Sequence, residues 1–382
     1  MIKIESMISE NLKDDYFRAI HPLVKSKYES VKSVRPINYW MDSILTNLFE
    51  NEKGEFDLQK LRVILVEPFS EESRARNSFL NNYYQCEMFA HYYPTTLKKN
   101  LKSTTNRSNR REIRKECIGL FSNDWLKYHI DVNANYSQSD ITMKNLIDEV
   151  KQMLDEINAQ IRRLMDYSSI SSELRHMILT SININVCPYC NRQYTTNYKK
   201  GDENRTTAYL DHFYPKSKFQ LYSLSLYNFI PSCAVCNSRF KIDRNIEILF
   251  PYEQGFNDDA YFKVIPKKPF DITSLFGASD EFEIGIHVNE NSPLKDNIKG
   301  NIEMFELENI YQTHKNYVRE LLYKKTAYSP KYKKMLNETL INKLTDFEFR
   351  LFLFGYSGFE DELYNKPLSK LTNDILRDAD YF

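Results

Sequence analysis

The sequence predicts an α+β chain, mostly helical, with a small β-containing core held by cysteines. Three observations carry this expectation. An apolar seam at helical spacing runs through residues 143–164. Two Cys-x-x-Cys pairs bracket short β-like runs between 187 and 245. Glycine is scarce (9) while tyrosine (27) and phenylalanine (24) are abundant, which favours helices packed on aromatic side chains over a glycine-turned β protein. The 382 residues leave room for more than one domain. The expected division is a helical N-terminal domain over 1–180 for regulation, partner or substrate binding, a core over 181–250, and a hairpin with a helical C-terminal region over 251–382.

In the first part, "MKNLIDEVKQMLDEINAQIRRLMD" is the clearest helix. Met143, Ile147, Val150, Leu154, Ile157, Ile161 and Leu164 recur at alternating spacings of four and three. Such a seam packs on its own domain or forms a coiled-coil contact with a partner or a second copy of the chain. The stretch "KKNLKSTTNRSNRREIRKE" at 98–116 is strongly basic. It reads as a loop entering a helix, either a solvated face or a phosphate grip that includes Arg110 and Arg111. Further on, "YFKVIP" and "EFEIGIHV" read as strands of a hairpin, and the apolar "FEFRLFLFGY" as a buried core helix.

Charge and targeting signals narrow the classes. Lys+Arg and Asp+Glu both number 52, so any nucleic-acid footprint must be local. The opening "MIKIESMISENLKDD" lacks the apolar core of a signal peptide. No run approaches the roughly 20 apolar residues that span a bilayer. The expectation is a cytoplasmic chain without a membrane partner, whose six cysteines are thiols or metal ligands rather than a disulfide framework.

The cysteine pairs carry the chemistry. Cys187 and Cys190 in "CPYC", with Cys233 and Cys236 in "CAVC", can close a tetrahedral thiolate site around a structural Zn²⁺. The 42 residues between the pairs exceed zinc-ribbon spacing, so a folded insertion is expected. Cys86 and Cys117 lack such partners and read as packing residues. The insertion contains "YLDHFYPKS" followed by "LSLYNFIPSCAVCNSRFK". His21, His91, His129, His176, His287 and His314 stand alone and receive no role.

Across about 187–245 this ordered set resembles the HNH (ββα-metal) endonuclease family, in an HNN variant. The resemblance implies that His212 is the general base and that Asn228 orients its ring. It also implies that Asp211 and Asn237 ligate a catalytic ion. Hard oxygen donors of this kind favour Mg²⁺ or Mn²⁺. Arg239, Lys241 and Arg244 read as a solvated helix face or, beside such a metal centre, as phosphate ligands together with Lys216 and Lys218. Neighbouring side chains on a strand face opposite ways, so the strand is expected to end or bulge at Asp211–His212 and let both converge on one cleft.

Finer features resemble anti-phage HNH effectors of the Septu and retron-associated kind, in "YLDHFYPKS", "NFIPSCAVCNSRFK" and "FELENIYQTHKNYVREL". That resemblance implies nucleic acid as substrate, DNA before RNA, and an SMC/ABC-like ATPase partner. The competing expectation is a non-catalytic zinc-knuckle module that binds protein or nucleic acid.

Overall fold

Helices form up to residue 182 where apolar positions recur at three and four and polar side chains close the free ends. The computed structural model describes residues 1–4, 8–33, 46–120, 135–269, 271–328, 330–356 and 363–377; His129 lies outside them. The helices are α1 (Glu10–Ser33), α2 (Leu58–Val66), α3 (Glu71–Ala75), α4 (Ser78–His91), α5 (Tyr93–Lys102), α6 (Arg107–Gly119), α7 (Asp140–Leu164) and α8 (Ser172–Ile182). At the start of α7, the Ser139 hydroxyl accepts from Thr142 N at 3.1 Å and Thr142 Oγ1 accepts from Ser139 N at 3.0 Å. This reciprocal cap satisfies two otherwise orphaned amides. The whole α7 seam, Met143 through Leu164, is buried within the chain, so it packs internally rather than awaiting a coiled-coil partner.

Among the described residues, three two-stranded antiparallel sheets follow. They pair β1 (Asn197–Lys200) with β2 (Glu203–Thr206), β3 (Tyr209–His212) with β4 (Phe229–Ser232), and β5 (Ala260–Pro266) with β6 (Phe282–Val288). The last pair is the expected hairpin, with α9 (Ile272–Leu275) in its connection. After β4 the chain enters a helical turn over Cys236–Lys241. The remainder is α10 (Lys295–Met304), α11 (Leu307–Tyr311), α12 (Lys315–Ala327), α13 (Pro330–Thr339), α14 (Asp346–Phe354) and α15 (Ser369–Leu376). The molecule is thus mixed helix and sheet, as the sequence predicts. Among the described residues no helix is long and apolar enough to cross a membrane.

One expectation is corrected. Helix α14 buries Phe349, Leu353 and Phe354 but leaves Phe352 65% exposed. A single face meets the core, so this apolar helix is not a fully buried one.

Buried apolar side chains form one cluster from Met1 to Leu376. Aromatic rings join the N-terminal helices to the loop after β3: Phe69 meets Tyr222 at 4.6 Å and Tyr84 meets Tyr214 at 5.7 Å between centroids. A polar tie runs beside them. Tyr83 donates to Asn158 Oδ1 at 2.7 Å, and Asn158 Nδ2 donates to Glu87 Oε1 at 2.7 Å and to the Lys218 carbonyl at 2.8 Å. His91 Nε2 is 3.3 Å from Glu87 Oε2, close enough for an ion pair but not aligned as a hydrogen bond. Burial pushes the Glu87 carboxyl up from 4.5, opposed by the nearby His91 and by the Asn158 hydrogen bond.

The sign of the resulting pH dependence is fixed. The folded chain holds a proton that the unfolded chain releases, so this contribution is complete below about 4.5 and is lost as pH rises through the folded-state value. Glu87→Gln cannot ionise and keeps the acceptor for Asn158. In urea denaturation it should match wild type near pH 4.5 and exceed it in stability at pH 8. A variant less stable than wild type at pH 8 would contradict the assignment.

Candidate functional site

The backbone turns each cysteine pair inward. In the first knuckle, Cys187 N donates to the Gln193 carbonyl at 3.0 Å and Asn191 N to the Cys187 carbonyl at 2.8 Å. Asn191 adopts φ 49°, a left-handed conformation that Asn tolerates better than most residues. In the second, Cys236 N approaches Cys233 Sγ at 3.5 Å. The four sulfurs are buried and lie within 4.8 Å of one another, with Cys190 and Cys233 at 4.0 Å. A tetrahedral ion with Zn–S bonds of about 2.3 Å separates its sulfurs by about 3.8 Å, so the cluster fits zinc in both donor type and spacing. Burial pushes the Cys187 thiol up, while hydrogen bonds from Cys187 and the other thiols pull Cys233 down. Crowded sulfurs of this kind ionise together only with a cation among them. Four protein ligands leave no open position, so a bound ion here would staple the two knuckles together. Among the described residues this is the one group of its kind.

Strands β3 and β4 lie between the knuckles in sequence, with Asp211 opposite Ile230 and His212 opposite Phe229. The strand ends at His212, as expected, but its pairing is regular through both residues and their side chains do not converge. Asp211 is buried, where its Oδ2 accepts from Tyr189 OH at 2.7 Å and pairs with Lys241 Nζ at 3.0 Å. Burial pushes its carboxyl up, opposed by Lys241 and Tyr189. Lys241 also donates to the His212 carbonyl. Lys241 is therefore a buried counter-ion that ties the helical turn to β3, not an open phosphate contact.

His212 turns the other way. Its Nε2 lies 3.1 Å from the Ser223 carbonyl. A carbonyl only accepts, so Nε2 carries the hydrogen and the Nδ1 lone pair is left free. Nδ1 has no hydrogen bond among the described residues. The ring is packed edge-on against Tyr167 at 4.5 Å and Phe229 at 5.3 Å. Burial pushes its pKa to about 3; the Ser223 hydrogen bond opposes this, and Lys216 and Lys241 add to it. The imidazole is accordingly neutral at neutral pH.

Asn228 does not hold the ring as expected. Its amide accepts from Tyr214 N at 2.8 Å and donates to the carbonyls of Tyr214 at 3.0 Å and Tyr222 at 2.9 Å. It clamps the ends of the 214–222 loop, and so acts on the position of Ser223, whose carbonyl sets the His212 tautomer. Asn237 is half-buried, and its amide reaches Ser238 Oγ at 3.4 Å. As arranged, Asp211 and Asn237 do not fit a divalent cation, because an ammonium and a phenol already meet the buried carboxylate. An ion on Asp211 would have to displace Lys241.

The remaining basic candidates divide. Arg110 donates to the Leu101 carbonyl at 2.7 Å and to Asp140 at 2.7 Å; together with buried Arg114 it joins α6 to the start of α7. That guanidinium is occupied, which corrects its reading as a phosphate grip. Lys218 donates to the Asp243 carbonyl, and Arg244 to the Met304 carbonyl. Arg111, Lys216 and Arg239 are exposed and have no ion pair among the described residues. Sequence reasoning missed Tyr189, although it lies between the first two cysteines. It also missed the Ser223 carbonyl, a backbone group that no residue pattern marks, and Tyr167 and Arg175, which lie outside the ordered motif.

Two outcomes test this arrangement. Metal analysis of purified protein should give about one zinc per chain, and Cys233→Ser should lose both zinc and the fold of 187–245; a well-folded zinc-free chain would contradict the staple. Lys241→Met should cost about 3–5 kcal/mol in urea denaturation, because a buried carboxylate loses its partner, and Asp211→Asn with Lys241→Met should recover part of the loss. No protein-family model, no curated protein and no solved structure matches this chain.

Proposed function

We propose that the chain is an endonuclease of the HNH type that hydrolyses phosphodiester bonds of nucleic acid, with DNA favoured. The observation that carries this reading is His212. It leaves a strand pair bracketed by the cysteine knuckles, neutral, with Nε2–H held by the Ser223 carbonyl and Nδ1 free. A fixed neutral imidazole with one open lone pair is suited to take a proton from water.

In the proposed reaction, the water oxygen bonds to phosphorus and its proton passes to Nδ1. The bond from phosphorus to the 3′ oxygen breaks, and that oxygen takes a proton from solvent. The resemblance implies products with 5′ phosphate and 3′ hydroxyl ends. The negative charge of a phosphodiester beside His212 raises the imidazole pKa from its depressed value, which makes it a better base when substrate is present. The resemblance further implies Mg²⁺ or Mn²⁺ dependence, a role in anti-phage defence and an SMC/ABC-like ATPase partner. The non-catalytic zinc-knuckle module stays as a second reading because the buried Asp211–Lys241–Tyr189 set also makes sense as structure alone.

The test incubates plasmid DNA and total RNA with the protein in Mg²⁺, Mn²⁺ or EDTA. Wild type should cut in at least one of these arms, and His212→Ala should lose about 10²- to 10⁴-fold in rate. Cutting by His212→Ala at the wild-type rate would place the chemistry elsewhere.

A further inference from the structure

Tyr167 opens a short 3₁₀ turn (Tyr167–Ser169) between α7 and α8, outside the motif that carries the nuclease resemblance. That turn is fixed in place. Ser168 N donates to Asp166 Oδ1 at 2.9 Å, and Lys27 of α1 donates to Ser169 Oγ at 2.7 Å. The half-buried Tyr167 ring lies against the His212 ring at 4.5 Å and 76°. Two cations share this ring: Lys216 Nζ is 4.7 Å and the Arg175 guanidinium carbon 5.1 Å from its centroid.

Neither cation has a carboxylate partner among the described residues. Arg175 spends one nitrogen on the Ile170 carbonyl at 3.0 Å, while its Nε is buried with no hydrogen-bond partner. Asp166, the adjacent acid, is 3.7 Å from Lys27. Two cations beside one ring, neither paired with a carboxylate among the described residues, favour an anionic ligand there. An aromatic ring flanked by cations also matches the way proteins hold nucleic-acid strands.

We propose that Tyr167, Arg175 and Lys216 form a phosphodiester-binding subsite beside His212, so that the helical N-terminal part supplies half of the substrate site. This rests on the nuclease reading for its substrate class. Arg175 and Lys216 each attract backbone phosphate beside Tyr167, whose ring lies against the imidazole. They are positioning residues; His212 remains the base.

The probe is fluorescence anisotropy of a labelled 20-base-pair DNA duplex in buffer without added Mg²⁺ or Mn²⁺, over a salt series, with an RNA duplex of the same sequence as a second arm. Arg175→Gln and Lys216→Gln should each weaken binding several-fold at 0.1 M salt. The double variant should flatten the slope of log K against log salt by about 0.9 for the one phosphate lost. Arg175→Lys should restore the slope. A merely structural role would move thermal stability and leave the slope unchanged.

Lys216 is exposed, so Lys216→Gln gives the measurement even where Arg175→Gln misfolds. Loss on DNA, RNA or both supports the subsite and identifies the strand. Unchanged affinity and slope on both duplexes, or no binding of either by wild type, would overturn it. Binding through Arg175 by a chain that never cuts keeps the subsite and removes the nuclease reading. Cutting that depends on His212 while binding ignores Arg175 does the reverse.

Discussion

Four sulfurs crowded within 4.8 Å are the constraint on which the rest depends. As thiolates they repel, and a cation among them turns that repulsion into a staple between two knuckles far apart in sequence. Much of the chain docks on the first knuckle. Ile2 N donates to the Pro188 carbonyl at 3.1 Å, Tyr311 OH to the Cys190 carbonyl at 2.6 Å, and Leu368 N to the Asn191 carbonyl at 2.6 Å. The start of the described chain, α11 and the entry to α15 therefore converge on one turn. An ion held by the four cysteines would tighten all three.

Regular pairing also explains how Asp211 and His212, adjacent on a strand, meet different surroundings. Regular pairing of β3 with β4 sends one side chain toward Tyr189 and Lys241 and the other toward Ser223 and Tyr167. Asp211 and Lys241 bind the helical turn of the second knuckle to the strand. Removing either alone leaves a buried charge, the costly half of any buried ion pair. His212, on the opposite face, keeps a free ring nitrogen. One strand thus carries a buried ion pair on one side and a partly buried imidazole on the other.

Local patterns were legible in the sequence. The α7 seam, the β5–β6 hairpin and the gathering of Cys187, Cys190, Cys233 and Cys236 follow from period and spacing, which the backbone enforces over a few residues. Partner choice was not legible. Arg110 sits in a basic run yet is claimed by Asp140, thirty residues on. Lys241 looks like a phosphate ligand and instead fills a buried ion pair. Asn228 clamps a loop rather than the histidine, because its partners are backbone groups that no residue type announces. Tyr167 reaches His212 only through tertiary packing, its ring also meeting Phe229 of β4 at 5.8 Å between centroids.

The central claim is that the fold holds His212 as a neutral imidazole with its proton on Nε2 and Nδ1 open. Long-range ¹H–¹⁵N correlation on ¹⁵N-histidine protein at pH 7, with His212 assigned by comparison with His212→Gln, reads this directly. The account predicts a protonated Nε2 and an unprotonated Nδ1. A proton on Nδ1, or an imidazolium at pH 7, would contradict it.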